Sequence, residues 1–201
     1  MFAILAEDDS DAEVLMHIIK RFLSNDRLSV KKKGYDGCGQ LYRKGARDIN
    51  SWLERDIKYF IVCIDADSAD PILVYRNILN KIVQPAGVES QCCITIPVQE
   101  MEAWLIADEQ AIKTAIPSFH FTGHPHPERI NSPKEWLIDQ SRRANGKPLY
   151  APATFNAVVA KHLRFDVVAS KCPSFQRFIS CLSSFFPPEQ VDKQSSTDNT
   201  A

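Results

Sequence analysis

Apolar residues recur along this chain in two alternating rhythms. Short unbroken runs stand at Phe2-Ala3-Ile4-Leu5-Ala6, at Tyr59 to Ile64 and at Cys92 to Ile96. Runs of that length read as strands buried on both faces. Between them the apolar residues space out by three and four. Val14, Leu15, Ile18, Ile19, Phe22 and Leu23 make one helical stripe, which predicts a helix over 11–23 capped by Asp9 or Ser10. A more exposed strand is predicted over 28–33. Gly34, Gly37 and Gly39 then form a turn before a helix over 40–53. Pro71 opens a helix carrying Ile72, Leu73, Tyr75, Ile78, Leu79 and Ile82. The last run, a strand over 91–96, leads into a helix over 98–112. Alternating strands and helices predict an α/β fold, a mostly parallel sheet with helices on both faces. The rhythm changes after Pro117. A histidine- and proline-rich loop over 119–129 precedes a helix opened by Ser132-Pro133, with further helices over 153–163 and 173–186. The expected organisation is an α/β core over 1–116, a loop and helical extension packed on it over 117–186, and a polar, frayed tail over 187–201.

Composition changes this picture little. With 201 residues and 44% hydrophobic content, the chain can bury a real core. A net charge of -1 gives no global field toward nucleic acid or membrane, so a polyanion would need a local basic patch or a metal. No apolar stretch is long enough to span a bilayer and no signal-peptide pattern opens the chain, so the expected location is cytoplasmic. None of the six cysteines forms a C-x-x-C pair, and all are expected to be reduced, structural thiols.

The chemistry gathers where the apolar runs end. Glu7 and Asp11 follow the first run, Asp65 and Asp67 the next, Glu100 and Glu102 the last. In open α/β sheets ligands bind outside the carboxyl ends of the strands. Carboxylates gathered there repel one another unless a hard cation such as Mg2+ (or Mn2+) joins them. Asp65 and Asp67 share a face if the chain stays extended. In a helix starting by Val98, Glu102 falls on the apolar arc with Met101 and Leu105, while Glu100 falls opposite. Helix capping is the competing use for Asp9 and Asp11. Lys134 can reach the carboxyl edge as a point charge on phosphorus. Lys31, Lys32, Lys33, Arg43, Lys44 and Arg47 form the densest basic region, a candidate nucleic-acid contact. His120, His124 and His126 match no zinc spacing and read as solvated loop.

The string Ala-Ile-Leu-Ala-Glu7-Asp-Asp-Ser-Asp11, with Ile-Asp65-Ala-Asp67 after a later strand, resembles the Toprim fold, the topoisomerase–primase catalytic domain. The stretch Pro97-Val-Gln-Glu100-Met-Glu102-Ala-Trp104-Leu resembles small Toprim-like proteins often encoded beside an ATPase and suspected of acting in phage defence. Ser132-Pro133-Lys134-Glu135-Trp136-Leu137 and Cys172-Pro173-Ser174-Phe175 resemble that group too. The resemblance implies a Mg2+-dependent nuclease acting on DNA or RNA. In it Glu7 serves acid–base chemistry or metal binding, Asp65 and Asp67 bind metal, and Glu102 with Glu100 completes a second position. An ATPase partner is implied as well. Asp8 stands where the Toprim pattern usually has glycine. Two alternatives remain open. One is a non-catalytic module binding nucleic acid or a partner. The other is a phosphoacceptor domain, because Asp8-Asp9, Asp67, Pro71 and Thr95 resemble response-regulator receivers.

Overall fold

Four parallel strands form the sheet of the computed structural model, which describes residues 1–186. They are β1 (Phe2–Ala6), β2 (Val30–Gly34), β3 (Tyr59–Cys63) and β4 (Cys92–Thr95), in the spatial order β2-β1-β3-β4. The tail expected over 187–201 lies outside the described residues. Pairing Phe2 with Tyr59 and Phe60 with Cys92 brings the carboxyl ends of β1, β3 and β4 level. Side chains alternate across the sheet and so feed two cores. Phe2, Ile4, Ile61, Cys63 and Cys93 face one way, and Ala3, Leu5, Phe60 and Val62 the other.

Helices cover both faces, as the apolar rhythm predicts. Helix α1 (Asp9–Phe22) buries Val14, Leu15, Ile18 and Ile19 on the first face. Helices α2 (Cys38–Leu53) and α3 (Pro71–Ile78) cover the second. Beyond α3 the chain passes through a π-helical turn, Leu79–Val83, into α4 (Gln84–Ala86). Pro85 lacks the N–H that a regular helix would return to Lys81, which accounts for the widened turn.

The extension joins the first core rather than forming its own. After α5 (Glu102–Ala107) and α6 (Glu109–Ala115), which close the expected core, it comprises α7 (Pro133–Gln140), α8 (Pro152–Ala160), α9 (Phe165–Lys171) and α10 (Pro173–Phe185). Trp104, Leu137, Val159, Phe175 and Phe178 pack with the sheet and α1 in one cluster. Helix α9 has no counterpart in the sequence pattern. Asp108 both caps α6, accepting from the N–H groups of Gln110 and Ala111, and accepts from Arg164 ahead of α9.

Three expectations need correction. The helix expected from residue 98 begins at Glu102, because Gln99 adopts a positive φ of 66° and its carbonyl accepts from the N–H of Asp67. It also breaks at Asp108 into α5 and α6. The cap of α1 is Asp8, which accepts from the N–H of Asp11 at 2.9 Å, rather than Asp9 or Ser10. Not all cysteines are thiols: Cys93 on β4 and Cys181 on α10 form a disulfide with Cα atoms 6.0 Å apart. The pair is 88 residues apart in sequence, so no spacing rule reveals it. Among the described residues no helix is long and apolar enough to cross a membrane.

Candidate functional site

The strand order reverses direction at β1 and β3, and the crevice outside such a switch point is where open α/β sheets bind ligands. Glu7 leaves β1 there and Asp65 follows β3. A hydrogen bond joins them: the N–H of Asp65 donates to Glu7 Oε1 at 3.1 Å. Burial, then Asp67, raises the pKa of Glu7, although the N–H groups of Asp65 and Cys38 partly offset this.

Asp65 is the most constrained acid. Its Oδ1 is buried and has no hydrogen-bond partner. Burial first, then Asp11, Glu102, Glu7 and Asp67, push its carboxyl well above the usual range. Asp11 is 6% exposed and is raised likewise, by burial and then by Asp8, Glu102 and Glu7. Orphaned buried acceptors are rare and need a cause such as an absent ion. Asp67 is exposed, whereas Asp65 is half-buried with its Oδ1 enclosed. At φ 45° it has left the extended conformation that would align the two carboxylates. Asp67, Ser68 and Gln99 are all held at positive φ, and Ser68 Oγ donates to Gln99 Oε1 at 3.0 Å. Backbone strain of this kind concentrates at functional sites.

Glu100 and Glu102 are both drawn in, by different partners. Glu102 is 4% exposed and starts α5, buried with Met101, Leu105 and Ile106. Asn156 of α8 donates to Glu102 Oε1 at 3.0 Å and to Ser10 Oγ at 3.1 Å. The Tyr150 hydroxyl in turn donates to Asn156 Oδ1. Glu100 accepts from the N–H of Lys134 at 2.8 Å. Burial raises both carboxyls. The Lys134 ammonium faces the same acids: burial works against its charge, but Glu102, Asp8, Glu100 and Glu135 outweigh it and raise its pKa. The apolar rhythm does not single out Asn156 or Tyr150. The available signal was a polar Asn156 inside the apolar run Phe155 to Ala160.

Asp8 sits at φ -140° and ψ 173°, a backbone open to any residue. The close approach falls instead at Gly34, whose N–H donates to Asp9 Oδ1 at 3.0 Å. Among the described residues no three His, Cys, Asp or Glu side chains are arranged to hold an ion as they stand. Mg2+ commonly takes only one or two carboxylates and keeps several waters. An all-oxygen donor set with an orphaned Asp65 Oδ1 fits such an ion.

The basic residues do not converge on this edge as one free patch. Lys32 pairs with Glu13 at 2.7 Å and Lys33 with Asp48 at 2.6 Å. Lys44 donates to Gln40, Arg47 lies 3.6 Å from Asp48, and Lys31 and Arg43 are exposed.

Fold and site together define a doubly wound α/β protein with acidic side chains gathered at its switch point, two of them hydrogen-bonded by the helical extension. Residues 6–183 match the family described as Domain of unknown function (DUF4276), and the chain belongs to that family. No curated protein and no solved structure matches it.

Proposed function

We propose that this chain is a Mg2+-dependent, Toprim-like nuclease that hydrolyses phosphodiester bonds in DNA or RNA. The observation that carries the reading is the orphaned Asp65 Oδ1 inside a crevice of carboxylates raised by burial and by one another. Asp65 with Glu7 would hold the ion, and Glu102 with Glu100 would complete a second position. Bound there, Mg2+ would supply charge stabilisation for the phosphoryl oxygens and the leaving oxygen. The chain's own groups do the rest. Glu7, whose carboxyl is raised by burial and by Asp67, would serve as the acid–base group. Lys134 offers a fixed positive charge to the phosphoryl group. Asn156 holds Glu102 in one orientation. An ATPase partner, a role in phage defence and a cytoplasmic location belong to this reading as well.

The test is nicking of supercoiled plasmid and cleavage of end-labelled RNA with Mg2+ or Mn2+. Asp65→Asn and Glu7→Gln are each expected to slow cleavage by about a hundredfold or more, the scale of a lost catalytic group. Cleavage unchanged in both variants removes the assignment. Metal-free partner binding with no Mg2+ uptake by calorimetry would favour the non-catalytic module instead.

A second reading rests on the strand order. The order β2-β1-β3-β4 is that of the first four strands of flavodoxin-like and receiver sheets. Asp67, exposed beyond β3, would then accept phosphate. Incubation with acetyl phosphate and mass spectrometry decides this, since an adduct on Asp67 is required.

A further inference from the structure

The two edges of the sheet are treated differently. Edge strands invite pairing with another chain, and lysines commonly guard against it. Strand β2, Val30–Gly34, carries three successive lysines. Strand β4, Cys92–Thr95, carries no charge at all. Among the described residues no strand pairs with its outer side. The Thr95 carbonyl accepts from Ile64 and the Pro97 carbonyl from Ala66, both toward β3. In a parallel ladder the intervening residues turn the other way, so the backbone groups of Ile94 and Ile96 face outward.

A cleft of about 400 Å³ runs along this edge, between α3 on one face of the sheet and α10 on the other. Its α3 wall is apolar and open: Ile72 is 60% and Tyr75 46% exposed, with Leu73 beside them at 54%. On the α10 wall stands Arg177, exposed and without an acidic partner among the described residues. Thr95 also lines the cleft. It is 2% exposed, yet its hydroxyl oxygen has no hydrogen-bond partner. Apolar exposure of this kind marks an interaction surface, and an unguarded edge adds main-chain bonding to it.

We infer that the outer edge of β4 takes up an extended segment of a protein partner whose side chains alternate apolar and acidic. The alternation follows from geometry. A strand added to β4 points successive side chains to opposite faces. One set meets Ile72 and Tyr75, and the other meets Arg177. The inference does not depend on the reading of the acidic crevice, which lies at the carboxyl ends of the strands rather than along this edge.

The test is fluorescence anisotropy of the full chain with a labelled nonapeptide alternating valine and glutamate. Binding is expected, about tenfold weaker when lysine replaces glutamate, the scale set by one exposed ion pair turned to repulsion. Methylating every second backbone nitrogen of the peptide is expected to abolish binding. Arg177→Glu, shown folded by circular dichroism, should reverse the charge preference, and Asp65→Asn should leave binding unchanged. The proposal is overturned by equal affinity for acidic and basic peptides, by no binding of either, or by full binding of the methylated peptide. It is also overturned by a dimer in sedimentation equilibrium that Tyr75→Glu converts to monomer, which would make a second copy the occupant. Displacement of the peptide by a single-stranded oligonucleotide, lost in Arg177→Glu, would overturn it in favour of nucleic acid.

Discussion

Asp65 has a carboxylate oxygen enclosed by protein with nothing to accept from, and four other acids press on the same space. The arrangement costs stability in the metal-free protein, and the sign of its pH dependence follows. Asp11, Asp65 and Glu102 are all raised in the folded state, by burial before anything else. A carboxyl raised on folding contributes stability that is fully present below its unfolded pKa and is lost as pH rises through the folded value. Stability in EDTA is therefore expected to fall as pH climbs from about 4, the ordinary carboxylate range, through the raised values. Asp48 and Asp108 are lowered and act in the opposite sense, losing their contribution as pH falls below that range. Asp65→Asn removes a carboxyl whose ionisation costs stability, so it should lessen this fall and raise the melting temperature at the alkaline end of the range. A gain of about 1 kcal/mol corresponds to roughly 2–4 °C in a chain of this size. Thermal melts across pH with and without Mg2+ check this. A melting temperature lowered by Asp65→Asn in EDTA at alkaline pH would contradict the burial of an uncompensated carboxylate.

Elements reach the crevice through a few close approaches. The end of β2 lies against the start of α1 so tightly that a Cβ on Gly34 would stand 2.3 Å from the Asp9 nitrogen and 2.4 Å from the Asp8 carbonyl carbon. Those neighbours are backbone and cannot rotate away. Gly34→Ala is expected to destabilise by about 1–3 kcal/mol, as overpacking does, and to shift the turn that holds Glu7 and the Asp8 cap. The urea midpoint reads the first effect and Mg2+ affinity the second; an unchanged midpoint would show that the turn yields freely. Strands, the stripe of α1 and the proline-opened helices are legible in the sequence because each depends on local spacing. The start of α5 is not, since Gln99 is drawn out of helical geometry by Asp67, far away along the chain. Glu102 is buried with Met101, Leu105 and Ile106 as its spacing predicts, although the helix starts later than Val98, and its partner Asn156 is not readable from that spacing. Two lysines of the basic run were readable as charge, but not as the ion pairs they make with Glu13 and Asp48.

At the scale of the molecule, the extension holds the site from the far end of the chain. Asn156 reaches Glu102, the Lys134 N–H reaches Glu100, and the Cys93–Cys181 disulfide ties α10 to β4. A cross-link closing so long a loop is expected to contribute about 2–4 kcal/mol. Reduction should therefore lower the melting temperature, and Cys181→Ser should remove that difference. Identical melts with and without reductant would mean that the two sulfurs are not joined in solution. The sequence by itself determined the alternation of strand and helix, the parallel sheet covered on both faces, and the gathering of acids at strand ends, because these follow from periodicity within a few residues. Tertiary structure alone decided which acid is orphaned, which is held by an asparagine, and which accepts from a distant backbone N–H. Those outcomes depend on groups 30 to 150 residues apart meeting in a dry interior, where one partner more or less sets the energy of a charge.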